Sequence, residues 1–300
     1  MDKIKIKDKL IAKGEPCFFV AEIGSNHNSN LSQAKKLIDA AKRSGADCVK
    51  FQTFKADELV VRSHPAYQML KKLELPENWH YILADYCRKK KIIFASTPFY
   101  LEAVDLLDEV RAPFYKIASS DLTFYPLVEK IALTGKPVFL STGVAYLQEI
   151  QRSVELIKKN QNRKIVLLHC VTLYPPRIED VNLNSLLVLE DKFKLPIGLS
   201  DHTRSLSVAV GAVAMGSCVI ERHFTLSRKL KGPDHHFAME PGDFQDMVNC
   251  VRELESAMGR LKKAPVTQEM GRRRYVRRKK ISAGGQIKYL RTYKGYAGQD

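Results

Sequence analysis

Lysines and hydroxyl side chains close several short apolar runs along this chain. Lys50 and Lys116 stand in apolar surroundings, and an ammonium group is a point charge suited to phosphate or carboxylate oxygens. Ser119, Ser141 and Thr142 stand at comparable positions, where hydroxyls and nearby backbone N–H groups complete an anion site. This pattern predicts a site for a small anionic substrate.

A pair of histidines and a single acid add two further kinds of chemistry. His202 and His223 close consecutive apolar runs, so their imidazoles are expected to share one divalent metal ion. Asp234 can add a carboxylate and no thiolate lies close in these motifs, so the donor set favours Mn²⁺ or Mg²⁺ over structural zinc. Glu22 is costly inside the apolar run 18–23 unless it is paired or functional, and it is the predicted general acid/base. Anion site, metal and carboxylate together fit a small phosphorylated substrate and a carbonyl group to be polarised.

An alternation of strand and helix patterns positions these residues. The run 18–23 is short, β-enriched and followed by turn residues, which favours a strand, and Asn30 is the predicted N-cap of a helix through Ser44. Apolar and polar residues alternate over residues 4–12, which predicts a short N-terminal hairpin. Residues 53–76 are predicted to form a longer polar connecting segment, an excursion from the strand and helix alternation. The predicted strands are 18–23, 48–52, 92–95, 114–117, 138–140, 165–168, 197–199 and 219–220. The further helices are one containing Trp79 to Tyr86 and those near 100–109, 125–133, 147–159, 183–192, 205–215 and 243–258.

Eight such units in about 245 residues favour an α/β protein built as a closed (β/α)8 TIM barrel over an open doubly wound sheet. No G-x-G-x-x-G follows the first strand, which also argues against dinucleotide binding. Barrel active sites lie at the carboxyl ends of the strands. A single strand-end hydroxyl or histidine often has a structural role, but polar residues closing all eight strands favour a site. They are Glu22; Lys50 and Gln52; Ser96 and Thr97; Lys116 with Ser119; Ser141 and Thr142; His169, Thr172 and Tyr174; Ser200, Asp201 and His202; Glu221 and His223.

Composition excludes several classes of protein. The hydrophobic content of 45% is ample for a sizeable core, and no apolar run approaches the roughly 18 residues of a membrane span. The first residues lack the apolar core of a signal peptide. Six scattered cysteines without a C-x-x-C pair predict reduced core thiols. These features predict a cytoplasmic protein without a membrane span.

The formal charge of +16 is concentrated near the C-terminus. Residues 260–300 hold 13 Lys and Arg against two acids and so account for +11, which leaves the main body only mildly basic. Seven of the nine residues from 272 to 280 are basic, as in a nucleic-acid patch. Without a recognisable binding module or aromatic platform, nucleic acid is not favoured as a partner, and packing on an acidic partner surface is the preferred interpretation.

Eight motifs follow one another in order through roughly residues 15–258. They are Ala21-Glu22-Ile23-Gly24 with Asn26-His27-Asn28, Val49-Lys50-Phe51-Gln52, Lys116-Ile117-Ala118-Ser119, Leu140-Ser141-Thr142-Gly143, Leu168-His169-Cys170 with Tyr174-Pro175, Gly198-Leu199-Ser200-Asp201-His202-Thr203, Glu221-Arg222-His223-Phe224 and Gly232-Pro233-Asp234-His235. In this order they resemble the N-acetylneuraminate (sialic acid) synthase family. The resemblance implies a transferase that condenses phosphoenolpyruvate (PEP) with an N-acyl-hexosamine, releasing phosphate and forming a nine-carbon nonulosonic acid.

The resemblance also implies a role for each matching residue. The residues that it implies in PEP binding are Lys50, Thr97, Lys116, Ser141, Thr172 and Ser200, with Gln52 in the same wall. It implies that His202 and His223 bind the metal ion and that Glu22 is the catalytic carboxylate. The sugar side of the site would be lined by Tyr174, Glu221 and Asp234. In the implied mechanism the metal polarises the sugar aldehyde while C3 of PEP attacks it, after which water adds at C2 and phosphate leaves by C–O cleavage.

Two positions depart from the family pattern. Asp121 stands where the acetylneuraminate enzymes carry Glu, and Thr172 stands where some members carry Asn. Both positions are expected to influence which sugar fits the site. The sugar is therefore left open between N-acetylmannosamine and a 2,4-diacetamido-trideoxyhexose.

The C-terminal segment resembles the opening of the family's antifreeze-like (SAF) domain. We expect a barrel domain over residues 1–262, then a linker and a shortened SAF segment over 263–300. In the family this domain reaches over a partner's barrel and supplies an Arg to the sugar's acyl group, which implies a homodimer. The nearest counterpart here, around Tyr293-Lys294-Gly295, offers Lys.

Two other functions compete with this one. Another PEP-dependent 3-deoxy-2-ulosonic acid synthase would use pentose or tetrose phosphates. A barrel that has lost activity would serve in assembly or nucleic-acid binding through its basic tail, but the presence of all the strand-end groups argues against such decay.

Overall fold

The computed structural model describes residues 3–260 and 262–291. The chain divides into two compact units, Met1–Met258 and Gly259–Asp300. The first unit carries all of the predicted site residues.

The first unit is a barrel of eight parallel strands closed at one end by a hairpin. The hairpin is antiparallel and pairs β1 (Ile4–Ile6) with β2 (Lys9–Ile11). The barrel strands are β3 (Phe18–Gly24), β4 (Cys48–Thr53), β5 (Ile93–Pro98), β6 (Tyr115–Ile117), β7 (Val138–Ser141), β8 (Ile165–Cys170), β9 (Ile197–Asp201) and β10 (Val219–His223). They are ordered β5-β4-β3-β10-β9-β8-β7-β6, and the two end strands, β5 and β6, contact each other. The predicted (β/α)8 barrel and its N-terminal hairpin are confirmed.

Helices surround the strands in the predicted order. They are α1 (Leu31–Arg43), α2 (Ala56–Leu59), α3 (Tyr67–Leu73), α4 (Glu77–Lys90), α5 (Leu101–Glu109), α6 (Tyr125–Leu133), α7 (Leu147–Lys159), α8 (Asn184–Phe193), α9 (Leu206–Ala214) and α10 (Pro241–Met258). Short 3₁₀ helices span Ser119–Asp121 and Ile178–Asp180. Asn30 caps α1, because its side chain accepts the Gln33 N–H at 3.0 Å.

Two features differ from the sequence-based expectation. Residues 53–76 carry the two short helices α2 and α3, whereas a polar excursion was expected. Several strands also run further at their carboxyl ends, so that residues such as Thr97, Ser141 and His223 belong to the strands themselves. The ladder continues through these polar residues because their side chains point into the barrel while their backbone groups remain paired.

The interior of the barrel is apolar at the hairpin end and polar at the other end. Ile4, Ile6 and Ile11 of the hairpin pack with Phe18, and the rings of Phe114 and Phe139 lie 4.4 Å apart in the same cluster. Successive inward-facing positions are two residues apart along a strand. The inward positions therefore step from apolar to polar, from Val20 to Glu22, Cys48 to Lys50, Phe114 to Lys116, Phe139 to Ser141 and Val219 to Glu221.

The outward-facing residues of the strands pack against the helices. This larger core includes Val49 and Phe51 of β4 with Leu37 and Ile38 of α1. Five of the six cysteines are buried and free, as predicted, and Cys250 is free but exposed. Within residues 3–260 and 262–291, no helix combines the length and apolar character that a membrane span requires.

The second unit consists of helix α11 (Thr267–Val276) and the antiparallel strands β11 (Arg278–Ala283) and β12 (Gln286–Arg291). Its likeness to a SAF domain stays a prediction. The proposed counterpart of the family's Arg, at residues 293–295, lies outside the described residues.

Gly198 tests how tightly the barrel interior is packed. A Cβ at this position would lie 2.5 Å from Leu168 Cδ2 and 2.8 Å from Val219 Cβ. We expect Gly198→Ala to lower the free energy of unfolding by about 1–3 kcal/mol, as overpacking does, measured by urea denaturation. Gly242→Ala is the matched control, because a Cβ there meets nothing within 4 Å. Equal unfolding midpoints for the two variants would contradict this packing.

Candidate active site

Four charged side chains from four strands meet at the polar end of the barrel, and we call them the ion-pair cluster. The Lys50 ammonium lies 2.6 Å from Glu22 Oε2 and 3.8 Å from Glu221 Oε2, and Lys116 Nζ donates to Glu221 Oε1 at 2.5 Å. All four side chains are only 2 to 5% exposed. Charges withdrawn from water to this extent need partners, because each unpaired ion costs roughly several kcal/mol.

Strand register explains why these side chains meet. Glu22 lies opposite Lys50 of β4 on one side and His223 of β10 on the other. Glu221 lies opposite Ser200 of β9, whose hydroxyl donates to Glu221 Oε1 at 2.9 Å. Parallel pairing therefore places each of these residues at the same height in the barrel as its partner on the neighbouring strand, which brings their side chains into contact.

Neutral side chains extend the ion-pair cluster into a wall. Gln52 and Thr97 are opposite each other in the β4–β5 ladder. Gln52 Nε2 donates to Glu22 Oε1 at 2.9 Å, and Lys50 Nζ donates to Thr97 Oγ1 at the same distance. Both predicted residues thus hold a member of the ion-pair cluster in place.

The two glutamates of the ion-pair cluster differ in acidity. Burial raises the pKa of Glu22 to about 7; Lys50 opposes this rise and Glu221 adds to it. Burial would raise the pKa of Glu221 as well, but Lys116 and Lys50 outweigh it and lower the pKa to about 2. Glu22 can therefore exchange a proton near neutral pH, while Glu221 remains an ionised counter-ion.

A cavity of about 150 Å³ opens on the ion-pair cluster. Thirteen of the fifteen predicted site residues line it: Glu22, Lys50, Gln52, Thr97, Lys116, Ser119, Ser141, Thr172, Tyr174, Ser200, His202, Glu221 and His223. The sequence therefore predicted most of the side chains that the fold brings together here.

Unsatisfied polar atoms concentrate at this cavity. In the described part of the chain, seven buried side-chain N or O atoms have no hydrogen-bond partner, and five belong to cavity residues. These five are Glu22 Oε2, Ser141 Oγ, Thr172 Oγ1, Glu221 Oε2 and His223 Nδ1. Glu22 Oε2 still has the Lys50 ammonium at 2.6 Å. Because buried polar groups are normally paired, the hydroxyls of Ser141 and Thr172 mark where a polar ligand would bind.

The two remaining predicted residues flank the cavity. Asp121 ends the 3₁₀ helix that begins at Ser119, and its Oδ2 accepts from Ser120 Oγ at 2.9 Å. Asp234 lies between β10 and α10, with Oδ2 3.6 Å from His223 Nδ1. Burial raises the pKa of each carboxyl to about 6. Each acid thus contacts a residue that lines the cavity, Ser120 for Asp121 and His223 for Asp234.

The two predicted metal ligands lie side by side, with ring centroids 5.3 Å apart. His202 Nδ1 lies 2.9 Å from the Val171 carbonyl, so Nδ1 carries the proton and Nε2 keeps its lone pair. Burial, with His202 and Lys50 nearby, holds the pKa of His223 well below its usual value, which keeps this imidazole neutral. Within residues 3–260 and 262–291, no three His, Cys, Asp or Glu side chains converge as a complete metal site, so Asp234 does not complete one with the two histidines. An ion held by this pair would take its other ligands from oxygen donors.

Alternation along the strands directs several strand-end residues away from the cavity. Thr142 was predicted in the anion site, and this is wrong, because its hydroxyl donates to the Leu168 carbonyl at 3.1 Å. His169 is paired with the Val181 carbonyl at 2.7 Å, and Ser96 with Thr53 Oγ1 at 2.7 Å. Each follows or precedes an inward-facing residue and so faces the helices.

Sequence reasoning missed an aromatic residue and a glycine. Phe237 packs its ring 4.8 Å from His223 and 5.3 Å from Tyr174, and its position just after the Gly232–His235 motif was the only signal. Gly143 N donates to Ser119 Oγ at 3.0 Å. Phe99, Ala118, Ser120 and Cys170 also line the cavity.

The fold and the ion-pair cluster define a (β/α)8 barrel with a buried, charged cavity at the carboxyl ends of its strands. Residues 37–263 match the NeuB family, and the chain belongs to this family. Its relatives include an N,N'-diacetyllegionaminic acid synthase, a pseudaminic acid synthase and an N-acetylneuraminate-9-phosphate synthase. The protein is therefore an enzyme of the transferase class.

Two relatives and a solved structure show the extent of the similarity. The N,N'-diacetyllegionaminic acid synthase of Legionella pneumophila is 41% identical over 87% of this chain and 79% of its own length. An uncharacterized protein of Methanocaldococcus jannaschii is 44% identical over 95% of this chain and 86% of its own. The crystal structure of N-acetylneuraminic acid (sialic acid) synthetase from Leptospira borgpetersenii, in complex with citrate, superposes with a TM-score of 0.87 at 32% identity, covering 91% of this chain and 96% of that one.

Gly143 tests whether the cavity hydroxyls bind the anionic substrate. A Cβ at this position would collide with Thr172 Oγ1 and lie 2.8 Å from Ser119 Oγ. We expect Gly143→Ala to displace these hydroxyls and to weaken PEP binding about 10-fold or more, the cost of a lost hydrogen bond to a charged group. Calorimetric titration with PEP measures this effect. Gly242→Ala serves again as the control, and an unchanged PEP affinity in a folded Gly143→Ala protein would remove these hydroxyls from the anion site.

Proposed function

We propose that this protein catalyses metal-dependent condensation of PEP with an N-acyl-hexosamine, giving a nonulosonic acid and phosphate. The ion-pair cluster with its unsatisfied hydroxyls is the observation that carries this proposal. PEP bears a phosphate and a carboxylate on the same carbon, C2, and the cavity offers two buried ammonium groups beside Ser and Thr hydroxyls without a hydrogen-bond partner.

The glutamates of the ion-pair cluster hold the lysines until the substrate arrives. A buried lysine without a counter-ion is strongly destabilising. The ionised Glu221 lies within 4 Å of both lysines, and the Glu22 carboxyl contacts Lys50 as well. Substrate oxygens then take over part of this pairing. Lys50 hydrogen-bonds Thr97 as well as contacting Glu22, so it can turn toward a bound anion without losing every partner.

Glu22 can balance the protons of the condensation. When C3 of PEP bonds to the aldehyde carbon, the aldehyde oxygen gains a proton, and when water adds at C2 it must lose one. A carboxyl with a pKa of about 7 can donate the first proton and accept the second, so it returns to its starting state. Phosphate then leaves with the electrons of the C2–O bond while the new C2 hydroxyl becomes the ketone, and the proton of that hydroxyl passes to the departing phosphate. Glu22 therefore begins the cycle protonated.

The His202–His223 pair would hold the divalent metal ion. Such an ion supplies Lewis-acid polarisation of a carbonyl oxygen. The protein's own contribution is to keep both imidazoles neutral by burial and to fix the His202 tautomer through Val171. Phe237 and Tyr174 pack against both rings and shield them from water.

The acceptor sugar would lie on the side of Tyr174, Asp121 and Asp234. The 41% identity to an N,N'-diacetyllegionaminic acid synthase favours a 2,4-diacetamido-trideoxyhexose over N-acetylmannosamine as acceptor. Asp121 carries a carboxyl whose pKa is raised to about 6 by burial, and such a group can bond a hydroxyl or an acylamino N–H of the sugar.

A phosphate-release assay tests the reaction class and the acceptor together. PEP is incubated with N-acetylmannosamine, with a 2,4-diacetamido-trideoxyhexose, with a tetrose or pentose phosphate, or with no sugar, each with and without Mn²⁺. We expect metal-dependent phosphate release with an amino sugar and fastest with the diacetamido sugar. Release only with the sugar phosphates would overturn the proposal in favour of another PEP-dependent synthase.

The protonation state of Glu22 predicts a pH profile. Because the acid form begins the cycle and burial raises its pKa to about 7, kcat/KM for the sugar should fall as pH rises through about 7. Glu22→Gln keeps the shape of the side chain but cannot exchange a proton, so the rate should drop at least about 10²-fold, and the fall in kcat/KM above pH 7 should disappear. Glu221→Gln is the comparison, since Glu221 is ionised throughout this range: its residual activity should still fall as pH rises, with the fall moved to lower pH because the Glu221 charge adds to the rise in the pKa of Glu22. A near-wild-type rate for Glu22→Gln would remove Glu22 from the mechanism.

The histidine pair predicts a metal dependence. His202→Ala and His223→Ala should each abolish turnover and weaken Mn²⁺ binding while circular dichroism shows an intact fold, because each removes a ligand. His64→Ala, at an exposed position, should leave Mn²⁺ affinity unchanged. Full activity of EDTA-treated wild-type protein would disprove the metal assignment.

A further inference from the structure

A second buried ion pair lies beside the histidines, on the outer face of the same two strands. Asp201 of β9 and Arg222 of β10 are opposite each other, and Arg222 Nη1 donates to Asp201 Oδ2. Both side chains are only 1% exposed, and Arg222 is the largest of the fully buried side chains among the described residues. We call this pair the Asp201–Arg222 tie.

The Asp201–Arg222 tie stands one residue before each histidine of the pair. His202 follows Asp201 and His223 follows Arg222. Since successive strand residues face opposite sides, the tie lies behind the strands while the imidazoles line the cavity. It is also the last opposed pair of the β9–β10 ladder, so beyond it no backbone pairing holds the two strand ends together.

The same carboxylate also fixes the turn that contains His202. Asp201 Oδ1 accepts from Thr203 N at 2.8 Å, and Oδ2 accepts from Thr203 Oγ1 at 3.2 Å. Arg222 Nη1 reaches Thr203 Oγ1 at 3.3 Å and the Ser205 carbonyl at 3.4 Å. The backbone on both sides of His202 is therefore anchored to the residue that precedes His223.

We propose that the Asp201–Arg222 tie positions His202 and His223 relative to each other and so sets their affinity for the metal ion. The inference rests on the metal role proposed above for these histidines. Neither tie residue faces the cavity, so each acts through its neighbouring histidine. A tie that served only to stabilise the fold would leave metal affinity unchanged in any variant that still folds.

A double variant of the full-length protein tests the proposal. Arg222→Met alone leaves a buried carboxylate unpaired and can fail to fold. Asp201→Asn combined with Arg222→Met removes both charges, while the Asn oxygen still accepts from Thr203 N. Calorimetric titration with Mn²⁺ should show a loss of about 10- to 100-fold in affinity, as for other groups that orient metal ligands, with PEP affinity within about threefold of wild type.

Imidazole spectra give a readout that does not depend on the metal. In protein labelled with ¹⁵N-histidine, the double variant should shift the His202 and His223 ring signals and weaken the Nδ1-protonated tautomer of His202. The ring signals of His80 and His235, buried elsewhere, should not move. Arg252→Met is the matched control, because it removes an arginine ion pair, 2.8 Å to Glu255, that contacts Cys17 at the hairpin end of the barrel.

The outcomes separate this inference from the proposed function. Wild-type Mn²⁺ affinity and unmoved His202 and His223 signals in the folded double variant would overturn the role of the tie. If His202→Ala binds Mn²⁺ as wild type does, the metal assignment fails. The positioning role is then decided by the imidazole signals alone, which support it if they shift and overturn it if they do not.

Discussion

Pairing of buried charge at the mouth of the barrel is the constraint on which the rest of this structure depends. Lys50, Lys116, Glu22 and Glu221 are nearly inaccessible to water, and the lysines could not be ionised there without a carboxylate close by. Their backbones must therefore stay at fixed heights on four separate strands. Parallel pairing in one continuous sheet meets that requirement, because register sets the height of every residue relative to its neighbours.

The apolar end of the barrel stabilises this arrangement of buried charges. Below the ion-pair cluster, Phe18, Phe114 and Phe139 fill the interior, and the N-terminal hairpin closes it with isoleucines. Water is thereby excluded from one side of the site, which strengthens the electrostatic interactions above it. The same strands supply both layers, so the apolar and polar halves of the interior differ only by a step of two residues along each strand.

Much of this arrangement could be predicted from the sequence, and the reasons for the failures are physical. Strand and helix order follow from hydrophobic periodicity, and Asn30 was identified as a cap from its residue type. The period of two did not tell which strand-end residue faces inward, because several strands were expected to end earlier than they do; Thr142 was assigned to the wrong face for that reason. Pairings between distant segments, such as Asp201 with Arg222, depend on the closed sheet and cannot be read from either segment alone.

The order of the strands also explains how two identical side chains can serve different purposes. Glu221 contacts two lysines and a serine hydroxyl, so its negative charge is fixed. Glu22 contacts one lysine and a neutral amide, so burial dominates and its proton is labile. Because β3 lies between β4 and β10, this labile carboxyl stands between Lys50, on the anion-binding side, and His223, on the side of the histidine pair. In the proposed reaction, a proton carrier placed there lies between the group that binds PEP and the group that binds the aldehyde oxygen, which suits it to serve both proton transfers.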